Sequence, residues 1–202
     1  NGTSRNAHIS PDGFWVAFES DATNLDANDT NGQTDVFLTW MHILRVYERV
    51  SVDTSGNEGN GGSYMPRVST RADAVVFESD ASDLVTGDTN SSRDVFLRTR
   101  GTPTTTRVSV DSSGSQALGI SSGASVCANG EFIAFTSDAD NLVAGDTNNS
   151  TDVFLHEIST GITTRVSVDS TGNQGNGDSD QAELAVDGSI VVFRSSATNL
   201  VV

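Results

Sequence analysis

The sequence predicts an all-β fold of four-stranded sheets repeated about every 58 residues, and three observations carry that reading. A loop-and-strand segment occurs three times, as DTNGQTDVFL from Asp29, DTNSSRDVFL from Asp88 and DTNNSTDVFL from Asp146, at offsets of 88 − 29 = 59 and 146 − 88 = 58. Two further anchors keep the same register. An apolar run ending in Phe-x-Ser recurs at Phe18, Phe77, Phe135 and Phe193, and Arg-Val-Ser-Val-Asp begins at Arg49, Arg107 and Arg165. Finally, no part of the unit has helical periodicity, while 19 glycines and clusters of Ser, Thr, Asn and Asp separate short apolar runs. That is the composition of many short strands joined by turns.

Taken in order, the first strand of a unit is exemplified by Arg5–Ser10 and closes on Pro11-Asp12-Gly13, residues that favour a tight turn. The second strand, Trp15-Val16-Ala17-Phe18, is apolar at consecutive positions and should be buried on both faces. After the long loop, Asp35-Val36-Phe37-Leu38 reads the same way. The fourth strand, Arg49–Asp53, alternates: Val50 and Val52 are expected inward, and Arg49, Ser51 and Asp53 outward on a half-exposed edge. A Gly/Asn/Ser-rich loop returns to the next unit. Four-stranded sheets with two buried central strands, stacked at a fixed period, describe a β-propeller. The units run about 1–58, 59–117 and 118–175 within a single propeller-type domain, and a half unit at 176–202 carries only two strands. Three and a half blades would leave apolar sheet faces open. Self-association, or the remainder of a longer propeller, is therefore expected to cover them.

Composition narrows the partners. With 11 basic and 27 acidic residues the net charge is −16, which repels phosphate backbones and argues against nucleic acid. No run of 18 apolar residues exists, so no membrane span is expected. Cys127 is the single cysteine; intrachain disulfides are excluded, and its apolar surroundings predict a buried, inert thiol. The first residues contain neither a basic n-region nor an apolar h-region of a signal peptide.

The string HISPDGFWVAFESDATNL from His8, followed by DTNGQTDVFL and then RVSVD, resembles the WD40-like propeller repeats of the TolB-type family of bacteria. The likeness covers essentially the whole chain. Only the first unit keeps Ser10-Pro11-Asp12-Gly13; the others carry Thr70-Arg71-Ala72-Asp73, Ala128-Asn129-Gly130 and Val186-Asp187-Gly188. The resemblance implies a propeller and an exported protein, periplasmic or extracellular. It implies no particular activity, because propellers host many.

The repeated loop is the leading site candidate. Asp29, Asn31 and Asp35 lie at relative positions 1, 3 and 7, as do Asp88, Asn90 and Asp94, and Asp146, Asn148 and Asp152. Oxygen donors at alternating positions of a tight loop are how Ca²⁺ is wrapped, and Asp21, Asp80 and Asp138 upstream could add a carboxylate. The alternative is that these Asp and Asn side chains close Asx-turns without metal. Arg49, Arg107 and Arg165, recurring with Asp53, Asp111 and Asp169, suggest a structural ladder of pairs between blades. His8, His42 and His156 occupy unrelated positions and form no metal or triad pattern, so no catalytic residue is assigned.

One departure from the repeat stands out. Where the later units have polar hairpins, the first has Thr39–Glu48, rich in bulky side chains. Trp40, Met41, Ile43, Leu44 and Tyr47 there would form an interface, or else cover the exposed flank of the first blade. The function expected is a non-enzymatic binding or scaffolding module. A lectin-like propeller would want a repeated exposed aromatic, and Trp15 and Trp40 are not repeated. A propeller hydrolase or lyase would want unrepeated polar residues, such as His8 and Arg67, converging from the first strands on the central channel.

Overall fold

A computed structural model describes residues 1–42 and 46–201. The first blade comprises β1 (Ser4–Ile9), β2 (Trp15–Ser20), β3 (Asp35–Trp40) and β4 (Tyr47–Arg49). The second comprises β5 (Ser63–Val68), β6 (Ala74–Ser79), β7 (Asp94–Thr99) and β8 (Thr104–Arg107). The third comprises β9 (Ser121–Val126), β10 (Phe132–Ser137), β11 (Asp152–Glu157) and β12 (Ile162–Arg165), and β13 (Ser179–Leu184) pairs β14 (Val191–Ser195) in a half blade. Within each sheet the strands are antiparallel neighbours in chain order. Each blade therefore has two ends. The tight turn and the hairpin after the third strand lie at one, the hairpin end. The long Asp-Thr-Asn loop and the return loop to the next blade lie at the other, the loop end.

The tight turns form because a side chain closes each. Ser10 Oγ donates to Asp12 Oδ1 at 2.5 Å and accepts from the Trp15 amide at 3.0 Å, while Gly13 takes φ +76°. Cys127 does the same work in the third blade, its Sγ accepting from the Phe132 amide at 3.2 Å, which accounts for its burial. The second blade has no glycine there, and Arg71 and Ala72 adopt φ +64° and +55° instead. The Arg71 amide donates to Asp12 Oδ2 of the previous blade at 3.1 Å, tying down that left-handed conformation.

The consecutive apolar residues of the central strands divide between two layers, as alternation across a strand requires. Val75, Phe77 and Phe96 pack with Ala17, Val36 and Leu38 of the first blade. Val76, Val95 and Leu97 pack with Ile133, Phe135 and Phe154 of the third. Ala134 and Val153 meet Ala182 and Phe193 of the half blade. Where no further sheet follows, burial falls away: Val192 is 60 % exposed, whereas its equivalent Val76 is 0 % exposed. At the other end of the stack Phe18 is only half buried.

Each first strand carries a bulge with a positive-φ residue at Asn6, Met65, Gly123 or Gln181. The bulge amide of Met65 donates to Glu19 Oε1 at 2.7 Å, and that of Gly123 to Glu78 Oε1 at 2.8 Å. This explains two buried carboxylates inside otherwise apolar strands. They satisfy backbone donors that a bulge leaves without a ladder partner.

The fourth strand differs from expectation. It ends at the arginine, and the chain then bends inward along the third strand, with the Val50, Val108 and Val166 amides bonded to the Val36, Val95 and Val153 carbonyls. Arg49 and Ser51 are consequently buried and do not face solvent.

Candidate functional site

In the second and third blades the loop carboxylates are fully engaged. Asp94 Oδ1 accepts from Ser109 Oγ at 2.5 Å, and its Oδ2 from Asn90 Nδ2 and Arg107 Nη1, each at 3.1 Å. Arg107 also lies 3.2 Å from Asp88 Oδ1. Asp152 repeats the pattern with Ser167 at 2.5 Å, Asn148 at 3.0 Å and Arg165 at 3.1 Å, and Arg165 lies 2.9 Å from Asp146. Asn90 and Asn148 turn their carbonyl oxygens to the Ser92 and Ser150 amides, each at 3.1 Å, which makes them Asx-turns.

The arginines therefore pair with the loop carboxylates of their own blade. This corrects the expected ladder with Asp53, Asp111 and Asp169. Those aspartates close their own turns: Asp53 accepts from the Asn57 amide, and Asp111 and Asp169 from the Ser113 and Thr171 amides, each at 2.8 Å. The physical reason is burial, since a guanidinium enclosed beside two carboxylates is better compensated than one reaching to a solvated turn. Asp21, Asp80 and Asp138 also lie apart from the loop site, bonded to Arg5, Arg93 and the Ile120 amide.

The first blade is different. Asp35 keeps its bonds to Ser51 Oγ at 2.5 Å and Arg49 at 3.2 Å, and Asn31 keeps its Asx-turn to the Gln33 amide at 2.8 Å. Two added carboxylates then enter. Asp26 stands where the other units have Val85 and Val143, and Glu58 where they have Gln116 and Gln174. Asp26 Oδ2 accepts from Arg49 Nε and Nη2 at 3.1 and 2.8 Å, and Glu58 Oε2 from Nη1 at 2.7 Å. The Nε atoms of Arg107 and Arg165, lacking an Asp26 equivalent, are buried without an acceptor. Asp26 and Glu58 thus draw Arg49 away from Asp29. Both Asp29 oxygens are buried with no hydrogen-bond partner among the described residues. Oxygens of Asp29, Asp35 and Glu58 lie within 4.8 Å of one another. Burial pushes the Asp29 and Asp35 carboxyls above their ordinary range. Burial also opposes the Glu58 charge, but Thr30 and Arg49 outweigh it and hold that carboxyl down at about 2.

A second polar cluster occupies the hairpin end. His8, Arg67, Ser125 and Glu183 stand at one register position of the four successive first strands and line a single cavity of about 130 Å³ with Pro11 and Val186. His8 Nδ1 accepts from the Val68 amide at 3.2 Å, so its proton resides on Nε2. Ser125 Oγ accepts from the Leu184 amide at 3.0 Å and donates to Glu183 Oε2 at 3.1 Å. Burial, and then the Arg67 charge, lower the affinity of His8 for a second proton, with Glu183 opposing.

His156 lies elsewhere, buried in β11 against Thr163 Oγ1 at 2.8 Å. Thr163 spends its own proton on Val110 O at 2.5 Å, so His156 Nδ1 is the donor. Burial holds the imidazole below its ordinary 6.5. As pH falls the unfolded chain takes up that proton first, so the stability contributed is complete above the ordinary value and is lost as pH drops through the lowered one. His156→Gln is expected to lose less Tm than the parent between about pH 7 and pH 5. Equal losses would show that this imidazole does not drive the acid sensitivity.

The hairpin after β3 carries Trp40 and Met41, 39 % and 58 % exposed. Trp40 stacks on Trp15 at 6.2 Å, and Tyr47 meets Phe18 edge-on at 6.0 Å. Tyr47 replaces Thr105 and Thr163, whose hydroxyls bond to the preceding blade at Val52 O and Val110 O. It covers part of the first blade's open flank. Ile43 and Leu44 lie outside the described residues.

Asp26, Glu58, Ser125 and Glu183 escaped the sequence reading, which followed what repeats. Their signal was the opposite: each is a substitution at a position where the other units agree or hold different chemistry.

These sheets, with their two ends, define the chain as a run of β-propeller blades. Among solved structures it superposes on TolB from Acinetobacter baumannii with a TM-score of 0.55 at 18 % identity, over 99 % of this chain and 41 % of that one. For a TolB structure from Agrobacterium tumefaciens the values are 0.58 and 14 %, over 98 % and 56 %. For an oligogalacturonate lyase from Vibrio parahaemolyticus they are 0.54 and 12 %, over 98 % and 48 %. The chain is a TolB-like β-propeller in fold, and it spans 41–56 % of the length of these structures. No protein-family model matches it, and no curated protein matches its sequence. Among the described residues, no helix is long and apolar enough to cross a membrane.

Proposed function

We propose that the chain is a non-enzymatic binding module that holds a carboxylate-bearing peptide segment of a partner protein at the mouth between His8, Arg67, Ser125 and Glu183. In the same reading, further sheets of propeller type cover its open faces, and the setting is exported. One observation carries the proposal. At a single register position of a repeating unit, four chemically different polar side chains line one cavity. Structural positions in a repeat converge on one residue type, whereas a ligand contact has no reason to. Among the described residues Arg67 has no carboxylate partner and bonds only to the Pro66 carbonyl at 3.1 Å. Its guanidinium is free for a bidentate carboxylate contact. Glu183 supplies an acceptor for a peptide N–H.

An enzymatic reading draws less support, since His8 Nδ1 and Ser125 Oγ are both committed to backbone amides of the next blade. A glycan reading lacks a repeated aromatic platform: Trp15 is covered by Trp40 and by Arg100 at 4.3 Å, and neither tryptophan recurs in the other units. The test is an amide chemical-shift titration with a short Asp/Glu peptide bearing a free C-terminus. Saturable shifts at Val68 and Leu184, lost in Arg67→Gln, are expected. Shifts that are absent, or unchanged in the variant, would remove the proposal.

A further inference from the structure

We propose that the loop end of the first blade binds one hard divalent cation, calcium by its donor set, between Asp29, Asp35 and Glu58, and that the equivalent loops of the second and third blades bind none. The site lies at the opposite end of the blade from the polar mouth and is independent of it.

The argument starts from charge. In the second blade Asp88 and Asp94 face Arg107, giving −2 + 1 = −1, and in the third Asp146 and Asp152 face Arg165 with the same sum. In the first blade Asp26, Asp29, Asp35 and Glu58 share Arg49, giving −4 + 1 = −3. One divalent cation brings that sum to −3 + 2 = −1, the balance at which its two siblings are built. Charge alone would not locate an ion, but the orphaned side chain does. Both carboxylate oxygens of Asp29 are buried and bonded to no described group, although it sits in a protein whose equivalent carboxylates are paired. A buried unpartnered carboxylate is costly and calls for a counter-charge.

The donor set fits a hard ion. All the donors are carboxylate oxygens, drawn from three different points of the chain. Calcium takes oxygens at about 2.3–2.6 Å, so two of its ligands can stand up to about 5 Å apart, and it accepts an all-protein carboxylate set, whereas magnesium usually keeps several waters. The 4.8 Å envelope of Asp29, Asp35 and Glu58 lies within that reach. Asn31, part of the expected ligand pattern, is left out, because its amide nitrogen points to the Gly59 carbonyl at 2.9 Å and its oxygen closes the Asx-turn. Asp26 acts indirectly by holding Arg49 aside through Nε and Nη2. Asp26 and Glu58 are the two carboxylates that this loop end has where its siblings carry Val and Gln, and together they vacate Asp29 and supply the third ligand.

The test is calorimetric titration of CaCl₂ into chelator-treated protein, with thermal melts in parallel. One ion per chain is expected, with a calcium-dependent rise in Tm. Glu58→Gln, which installs the residue of the other blades, and Asp29→Asn should each abolish the heat and the rise. Asp29→Asn should melt in chelator no lower than the metal-free parent, because it removes an unpaired charge from a crowded cluster, so a folding defect would be seen separately. Asp88→Asn should leave the binding unchanged. A stoichiometry of three, no binding, or binding that survives Asp29→Asn would overturn the proposal.

Discussion

Arg107→Met is expected to destabilise the protein by about 3–5 kcal/mol, the cost of leaving buried charge without its partner. The guanidinium is almost enclosed and lies 3.1 Å from Asp94 and 3.2 Å from Asp88, whose side chains are likewise buried. Removing it strands two buried carboxylates that repel each other. Asp94 retains Ser109 and Asn90, but neither supplies positive charge. Burial already pushes the Asp88 carboxyl up, and Asp94 adds to that. The comparison is Arg194→Met, which breaks a pair with Asp180 that is more than a third exposed on both sides. That loss should be small, as for other solvated pairs. Urea midpoints for the two variants decide the matter. Equal losses would mean that the arginine of Arg-Val-Ser-Val-Asp does not tie the loop carboxylates of its blade.

Phe77→Ala is expected to cost a similar amount, about 3–5 kcal/mol, because the ring is fully buried and its removal leaves a cavity between two blades. Phe77 stacks on Phe96 at 5.9 Å within the layer shared with Ala17 and Leu38. Phe18 makes the equivalent stack on Phe37 at 6.0 Å, but among the described residues its other side meets Tyr47 edge-on and it stays half buried. In a lone chain, Phe18→Ala should therefore cost clearly less. If a second copy covers the first blade's face, as the open sheets suggest, two results go together. The protein should run above its 21.2 kDa chain mass, and Phe18→Ala should approach the Phe77→Ala cost while lowering the mass in solution. A chain-sized particle with a cheap Phe18→Ala would exclude closure by a second copy.

The strands were legible because their determinants are local. Pro11-Asp12-Gly13 sets a turn within three residues, and the consecutive apolar positions of Val75–Phe77 mark a strand covered on both faces. Repetition then multiplied each weak local signal. Reading Arg49 and Ser51 as outward failed for a reason of the same kind. Alternation is a rule for a strand that continues, and here the strand stops at Arg49. The chain follows β3 inward instead, because Asp35 offers Ser51 a buried acceptor.

What the sequence by itself determined is the architecture: the period, the four strands of each blade, the buried central pair and the loops that carry acidic residues. Only the tertiary structure decided where chemistry gathers. Asp26 and Glu58 are separated by 58 − 26 = 32 residues and meet because the return loop folds against the long loop at one end of the sheet. His8, Arg67, Ser125 and Glu183 come one from each blade and share a cavity because the first strands lie side by side. Periodicity fixes which face a residue is on. Which residues from distant units share a space is set by how the sheets stack, and that is a property of the packed whole.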